Sequence, residues 1–245
     1  IEAMEKIQTT MDLLLKEKEM IWQGTLRKTF NKYLHPEIID KENPKLFEMA
    51  SSGTIPDLFQ FSTAIGHSTI KKVQPKNLIE MVATNSLMRL QSEGMEQPID
   101  TFIRFKNDIS LWYDEMRKWG LNEDEVKIME EHLLPLNGVA DTQESVMLMA
   151  MDKNVASFNV KESTTLRKSI AKKNKEIAIT ARDILMAKGL AQGTSEALLD
   201  YVWYQISRML SYAFSSPHTL AYSLIAMEQL NLNMNYNPLY WNTAV

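Results

Sequence analysis

The densest charge in the sequence lies between Arg167 and Lys175, where Arg167, Lys168, Lys172, Lys173 and Lys175 occur with no acid among them. On a helix, residues 168, 172 and 175 share one side and 167 lies close by, because neighbours three and four apart face the same way. Such a stripe suits a polyanion, either a nucleic-acid backbone or a triphosphate. The competing reading is a solvated helix face, which is what most charge runs are. A second feature is His218, directly after Ser215-Ser216-Pro217 at a helix start. A helix N-terminus offers free N–H groups and the positive end of the dipole, so anions settle there. A histidine adds a donor or, when charged, a proton. The alternative for His218 is a capping or packing role. Tyr212, Phe214 and Tyr222 lie beside it, and aromatics next to cations stack on bases. For Phe214, core packing is the reading adopted.

Other chemistries find little support. The chain has no cysteine, which excludes disulfides, thiolate metal sites and cysteine nucleophiles. The four histidines, His35, His67, His132 and His218, do not pair at metal-ligand spacing. No glycine-rich phosphate loop and no Gly-x-Ser-x-Gly elbow is present. Glu123-Asp124-Glu125 and Glu130-Glu131 read as helix-start and solvent-face charges.

The elements that must position these residues are mostly helices. Glycine is only 8 of 245 residues, roughly half the usual share of about 7%. Methionine is high at 16, and straight-chain apolar residues lose little freedom in a helix. Periodic apolar residues predict a helix over the first twenty residues and another opened by Pro75. Further helices are predicted over 98–119, from Asn122 to Leu134, over 141–152 and over 160–188. Thr194 is expected to cap the next helix, and Ser216-Pro217 to restart one through about 234. Pro44 opens a short helix that stops before Gly53. Residues 22–43 read as irregular, 56–62 as a short extended piece, and Pro238 as the end of the pattern. The fold class is therefore mainly α, with a few short strands or extended segments.

Composition bounds the rest. Lys and Arg total 27 against 31 Asp and Glu, a net charge of −4, which excludes a uniformly basic coat protein but not a local basic stripe. The longest strictly apolar run, Val146 to Met151, is far short of the roughly 20 residues that span a bilayer. The chain opens at Ile1, and on that ground is read as a piece of a longer protein.

Four stretches, in order, resemble the fingers region of C-family replicative DNA polymerases, the bacterial-type DNA polymerase III alpha subunit. They are Gly53-Thr54 through Phe59-Gln60-Phe61-Ser62 with Lys72-Val73-Gln74-Pro75; Pro98-Ile99 through Phe102-Ile103-Arg104 with Lys106; Gly138-Val139 through Gln143-Glu144-Ser145-Val146-Met147 with Leu166-Arg167-Lys168 and Lys172-Lys173; and Ser211-Tyr212-Ala213-Phe214 through His218 with Ala221-Tyr222-Ser223-Leu224-Ile225 and Asn235-Tyr236-Asn237-Pro238. The resemblance implies a connector from the palm over 1–43, a fingers domain over 44–238, and the start of a following segment over 239–245. It implies a nucleotide site in which Arg167, Lys168, Lys172, Lys173 and His218 bind the incoming triphosphate and Tyr212 stacks. It implies DNA contacts from Arg89, Arg104 and Lys106.

The same resemblance places the aspartates that hold two magnesium ions in a palm outside this chain, and no Asp-x-Asp motif occurs here, so no catalytic residue and no metal ligand are expected in the chain and the isolated fragment is expected to be inactive. The implied partners are primer–template DNA, a deoxynucleoside triphosphate, the remaining polymerase domains and, through regions not present, a sliding clamp, all in the cytoplasm and none in a membrane. Three departures stand out: Arg89-Leu90-Gln91 where the family has Arg-Pro-Gly-Pro, Ala171 for a glycine, and Ser215-Ser216-Pro217 for Asn-Lys-Ser. Such divergence suits a bacteriophage or other mobile-element replicase better than a bacterial housekeeping enzyme. Two other readings stay open, a noncatalytic helical DNA-binding module and a protein-interaction domain with Met-rich helices as its contact surface.

Overall fold

The computed structural model describes residues 1–92, 94–172, 175–210 and 213–245. Among them there are only helices, turns and loops. The elements are α1 (Glu2–Lys16), α2 (Leu26–Tyr33), α3 (Pro44–Ser52), α4 (Ala64–Val73), α5 (Leu78–Leu87), α6 (Pro98–Asn107), α7 (Ser110–Lys118), α8 (Glu123–Leu133), α9 (Gln143–Met151), α10 (Val160–Lys172), α11 (Lys175–Ala191), α12 (Glu196–Ser207), α13 (Ser216–Asn235) and α14 (Pro238–Ala244), with a 3₁₀ turn at Leu134–Leu136. The chain forms two units, 1–85 with 217–245, and 86–216.

In the first unit α1 packs on α14 and α3 on α4. Ile7, Met11 and Leu14 of α1, Leu46 and Phe47 of α3, Ile70 of α4 and Trp241 of α14 are all nearly inaccessible. The dipeptide Asn-Pro starts a helix twice. Asn43 and Asn237 each cap with their side chains, and Pro44 and Pro238 fill the first helical position, where a missing N–H costs nothing. Pro238 thus opens a helix rather than ending the pattern. The helix from Pro44 does stop at Gly53, which adopts the left-handed conformation at φ 70°.

The expected extended piece at 56–62 is a run of turns. Asp57 and Gln60 take positive φ, which no strand tolerates. This loop and its neighbour are fastened by side chains that bond main-chain atoms. Trp241 Nε1 donates to Pro56 O at 2.8 Å, and Phe59 N donates to Gln229 Oε1 at 2.7 Å. Asn231 accepts from Asp40 N at 3.0 Å and donates to Asp40 O at 2.8 Å.

In the second unit α9 packs on α8, α10 and α12, and α11 lies against both α10 and α12. The predicted helix over 98–119 divides into α6 and α7. Asp108 is extended and its carboxylate accepts from Ser110 N, which restarts the helix. α8 opens with the capping box read from Asn122 and Glu125, each side chain bonding the other's backbone N–H. The cap of α12 is Ser195, which accepts from Leu198 N, rather than Thr194. Thr194 instead donates to Val155 O at 2.7 Å.

The turn read from Asn137-Gly138 has both residues at positive φ, 49° and 76°. A Cβ on Gly138 would fall 2.5 Å from Cγ of Trp112, a ring with no solvent exposure. Gly138→Ala is expected to destabilise the chain by about 2–4 kcal/mol, through both left-handed backbone strain and overpacking. Asn137→Gly is expected to cost under about 1 kcal/mol. Thermal melts of the two variants followed by circular dichroism test this.

Candidate functional site

The helix expected over 160–188 is two, α10 and α11, so of the cationic stripe α10 carries Arg167, Lys168 and Lys172, while Lys175 opens α11. The start of α10 is fixed by a reciprocal cap, Glu162 N donating to Asn159 Oδ1 at 3.0 Å and Asn159 N to Glu162 Oε2 at 2.8 Å. Ser163, Leu166, Ser169 and Ile170 turn inward, against α9 and α11. That leaves Arg167 and Lys168 on the outer face, both exposed. Neither has a hydrogen-bond or ion-pair partner among the described residues. The acid of this helix does have one: Glu162 receives Lys188 Nζ of α11 at 2.7 Å, a pair that holds the Glu162 carboxyl below its ordinary range. The outer face of α10 therefore keeps its positive charge. Lys172 lies in the last turn of α10. Lys173 and Tyr212, also expected at the site, lie outside the described residues.

The approach to α13 is built in the same unit by α9. Gln143 N donates to Phe214 O at 3.0 Å, and Gln143 Nε2 to Ala213 O at 2.7 Å. Ser216 N, at the start of α13, donates to Glu144 Oε2 at 2.6 Å. Phe214 is 9% exposed, with the Arg89 guanidinium 5.2 Å from its ring. The buried Asp141 adjoins this junction, and burial pushes its carboxyl up to about 6.

In the first unit His218 sits in the opening turn of α13 with its ring centroid 4.0 Å from that of Tyr222. Tyr222 meets Phe59 edge-on at 5.2 Å. The first and fourth stretches of the sequence resemblance, far apart along the chain, thus meet in one aromatic stack through Phe59 and Tyr222. Nothing in the sequence pattern pairs them.

The expected DNA contacts separate by environment. Arg89 is exposed, Lys106 half-buried, and Arg104 engaged. Arg104 grips Glu96 with Nη2 to Oε2 at 2.7 Å and Nε to Oε1 at 3.3 Å. Sequence reading did not single out Glu96, nor Arg208, the one buried lysine or arginine among the described residues. It also passed over Glu228 of α13, which is 4% exposed, has Oε2 unpartnered, and is pushed up to about 7 by burial alone. No three His, Asp or Glu side chains gather as a metal ion would need among the described residues. No described helix is long and apolar enough to cross a membrane.

This is a helical domain whose α10 carries guanidinium and ammonium groups without a partner among the described residues. Its sequence places it further: the chain belongs to the bacterial DNA polymerase III alpha subunit finger domain family, whose sequence model matches residues 5–193. It is 55% identical over all 245 residues to a probable DNA polymerase, YorL, of Bacillus subtilis strain 168, and equally to a DNA-directed DNA polymerase of Bacillus phage SPbeta. It is 29% identical over 204 residues, 83% of its length, to the DNA polymerase III alpha subunit of Bacillus subtilis strain 168, covering 17% of that protein. The chain spans 19% of the length of the first two relatives.

Proposed function

We propose that this chain is the fingers part of a DNA-directed DNA polymerase and that the outer face of α10 receives the triphosphate of the incoming deoxynucleotide. The observation that carries this is the exposure of Arg167 and Lys168 without partners among the described residues, on a helix whose acid is already neutralised by Lys188. Cations held out of internal pairs keep their full charge for a ligand. Phosphoryl transfer asks the protein mainly to position a triphosphate and to offset the charge that develops on it. Arg167 offers a planar fork of donors, and Lys168 a compact point charge. Lys172 and Lys173 extend the stripe, His218 contributes a donor at the start of α13, and Tyr212 stacks on the nucleotide. Arg89, Arg104 and Lys106 face primer–template DNA.

DNA polymerases in general use magnesium, and here its ligands belong to palm carboxylates outside the chain. The remaining polymerase domains and, through them, a sliding clamp are the protein partners, in the cytoplasm of the cell where replication takes place. The domain limits proposed from the resemblance are a connector over 1–43, fingers over 44–238 and a following segment over 239–245.

The test is fluorescence anisotropy of a labelled primer–template with the chain, at several salt concentrations, with and without the matching nucleotide. Binding that weakens with salt and tightens with the correct nucleotide supports the reading. Binding indifferent to nucleotide leaves α10 as a backbone contact. Absence of binding at the lowest salt removes the reading for the isolated chain.

A further inference from the structure

Arg208, the C-cap of α12, is only 2% exposed. Its Nη2 donates to Thr101 Oγ1, and its guanidinium lies 5.2 Å from the Tyr204 ring. Its Nε and Nη1 have no hydrogen-bond partner among the described residues. A guanidinium cannot shed its proton, so two charged, buried donors stand unsatisfied, and such groups in a native fold require a reason. The nearest bonded carboxylate is one hydroxyl away, since Thr101 Oγ1 also donates to Glu96 Oε2 at 2.8 Å. Glu96 is meanwhile held by the fork of Arg104, in a pair whose side chains are 45% and 39% exposed. Glu96 thus lies between two guanidinium groups, one exposed and bonded, the other buried and short of acceptors, and a second carboxylate, Glu115, which accepts from the Tyr201 hydroxyl at 3.1 Å, attracts both.

We propose that Glu96 is an exchangeable counter-ion: when Arg104 turns outward to a DNA phosphate, Glu96 passes to the free donors of Arg208. This rests on the reading that the domain lies against DNA, and it goes beyond that reading by assigning Arg104 as a latent contact and Arg208 as its positioning residue. Stripping Arg104 from its carboxylate would by itself oppose DNA binding. A replacement pair with Arg208 offsets that loss, because Arg208 lies where less water screens the attraction. The exchange forms and breaks only hydrogen bonds and ion pairs. Thr101 is the hinge point, bonded to both sides before the exchange begins.

The test is a double-mutant cycle on binding of a fluorescein-labelled primer–template by the chain, using Glu96→Gln, Arg208→Gln and the pair. Net charge alone makes the first variant bind more tightly and the second more weakly, and these effects add. Exchange adds a coupled part. Arg208→Gln is expected to weaken binding by about threefold more when made in the parent chain than when made on the Glu96→Gln background, and Arg104→Ala is expected to abolish that difference. To keep the proposal testable should Arg208→Gln fold poorly, the Nε–Hε resonances of Arg104 and Arg208 are followed in the unaltered chain during the same titration, where both are expected to move together. An additive cycle, or an Arg208 resonance that stays still while DNA binds, overturns the exchange and leaves the DNA-binding reading intact. A chain that binds no DNA at the lowest salt overturns both.

Discussion

Reversing the charge at Arg167 and Lys168 together is expected to lower kcat/KM for the incoming nucleotide about a hundredfold or more in the intact polymerase. A hydrogen bond from a charged donor is worth about 1.5–3 kcal/mol, and two are lost. A loss of about 3–6 kcal/mol is a factor of roughly 10²–10⁴. Neither side chain has a partner in the described fold, so the double glutamate variant should melt within a degree or two of the parent, as surface changes generally do. A fall in activity with an unchanged melt therefore reads on ligand binding. The division between constants says when the contacts form. A rise in KM alone means that substrate and transition state are held equally, whereas an equal fall in kcat and kcat/KM means contacts made only in the transition state. Arg167→Lys separates geometry from charge, because it removes the fork and keeps the cation. Normal kinetics in the double variant would return the stripe to a solvated helix face.

The second large effect concerns pH. Glu228 is expected to make the protein less stable as pH rises from about 4.5 to about 7, and Glu228→Gln to remove that loss. The unfolded chain releases this proton near 4.5, but burial holds it on the folded chain until about 7. Between these values the folded state binds more protons, so stability falls with pH and levels off above the folded value. A displacement of this size corresponds to a few kcal/mol. Glu228→Gln should thus be more stable than the parent by on the order of 2–3 kcal/mol at pH 8, and equal to it at pH 4. Asp141 acts with the same sign over a lower window, from about 3.8 to about 6. Asp141→Asn should flatten the lower part of the curve and leave the upper part. Urea midpoints from pH 4 to pH 8.5 measure all three chains. A parent whose stability rises over this range would contradict the assignment.

What the sequence made legible depended on how far apart the deciding residues lie. The capping box at Asn122 and Glu125 and the stop at Gly53 are local, and the structure has them. α2 went unread because its eight residues bury only Thr29, so no apolar stripe marks it. α4 went unread because Gly66 and His67 look like loop residues, although Thr63 caps it. The stripe was legible because its charges adjoin one another in sequence, but that Lys175 opens α11 instead of continuing α10 was not. The Arg104–Glu96 pair spans only eight residues, but no periodic pattern announces it. Arg208 and Thr101 are 107 residues apart, and only the folded chain joins them. Glu228 was illegible for another reason: a glutamate in a helix is usually wet, and only packing reveals this one as dry.

The way the irregular segments are fastened to α13 and α14 carries a consequence for how this protein can change over generations. Asn231, Gln229 and Trp241 bond to the main chain of Asp40, Phe59 and Pro56. A main-chain group is the same whatever side chain it bears, except that proline lacks the N–H. These four bonds therefore survive a change of side chain at 40, 56 and 59, so long as proline does not enter at 40 or 59. The three anchoring side chains have no such freedom: losing any one would remove a bond that fixes its loop. In this unit substitutions should accumulate on the side that is held and be purged from the side that holds.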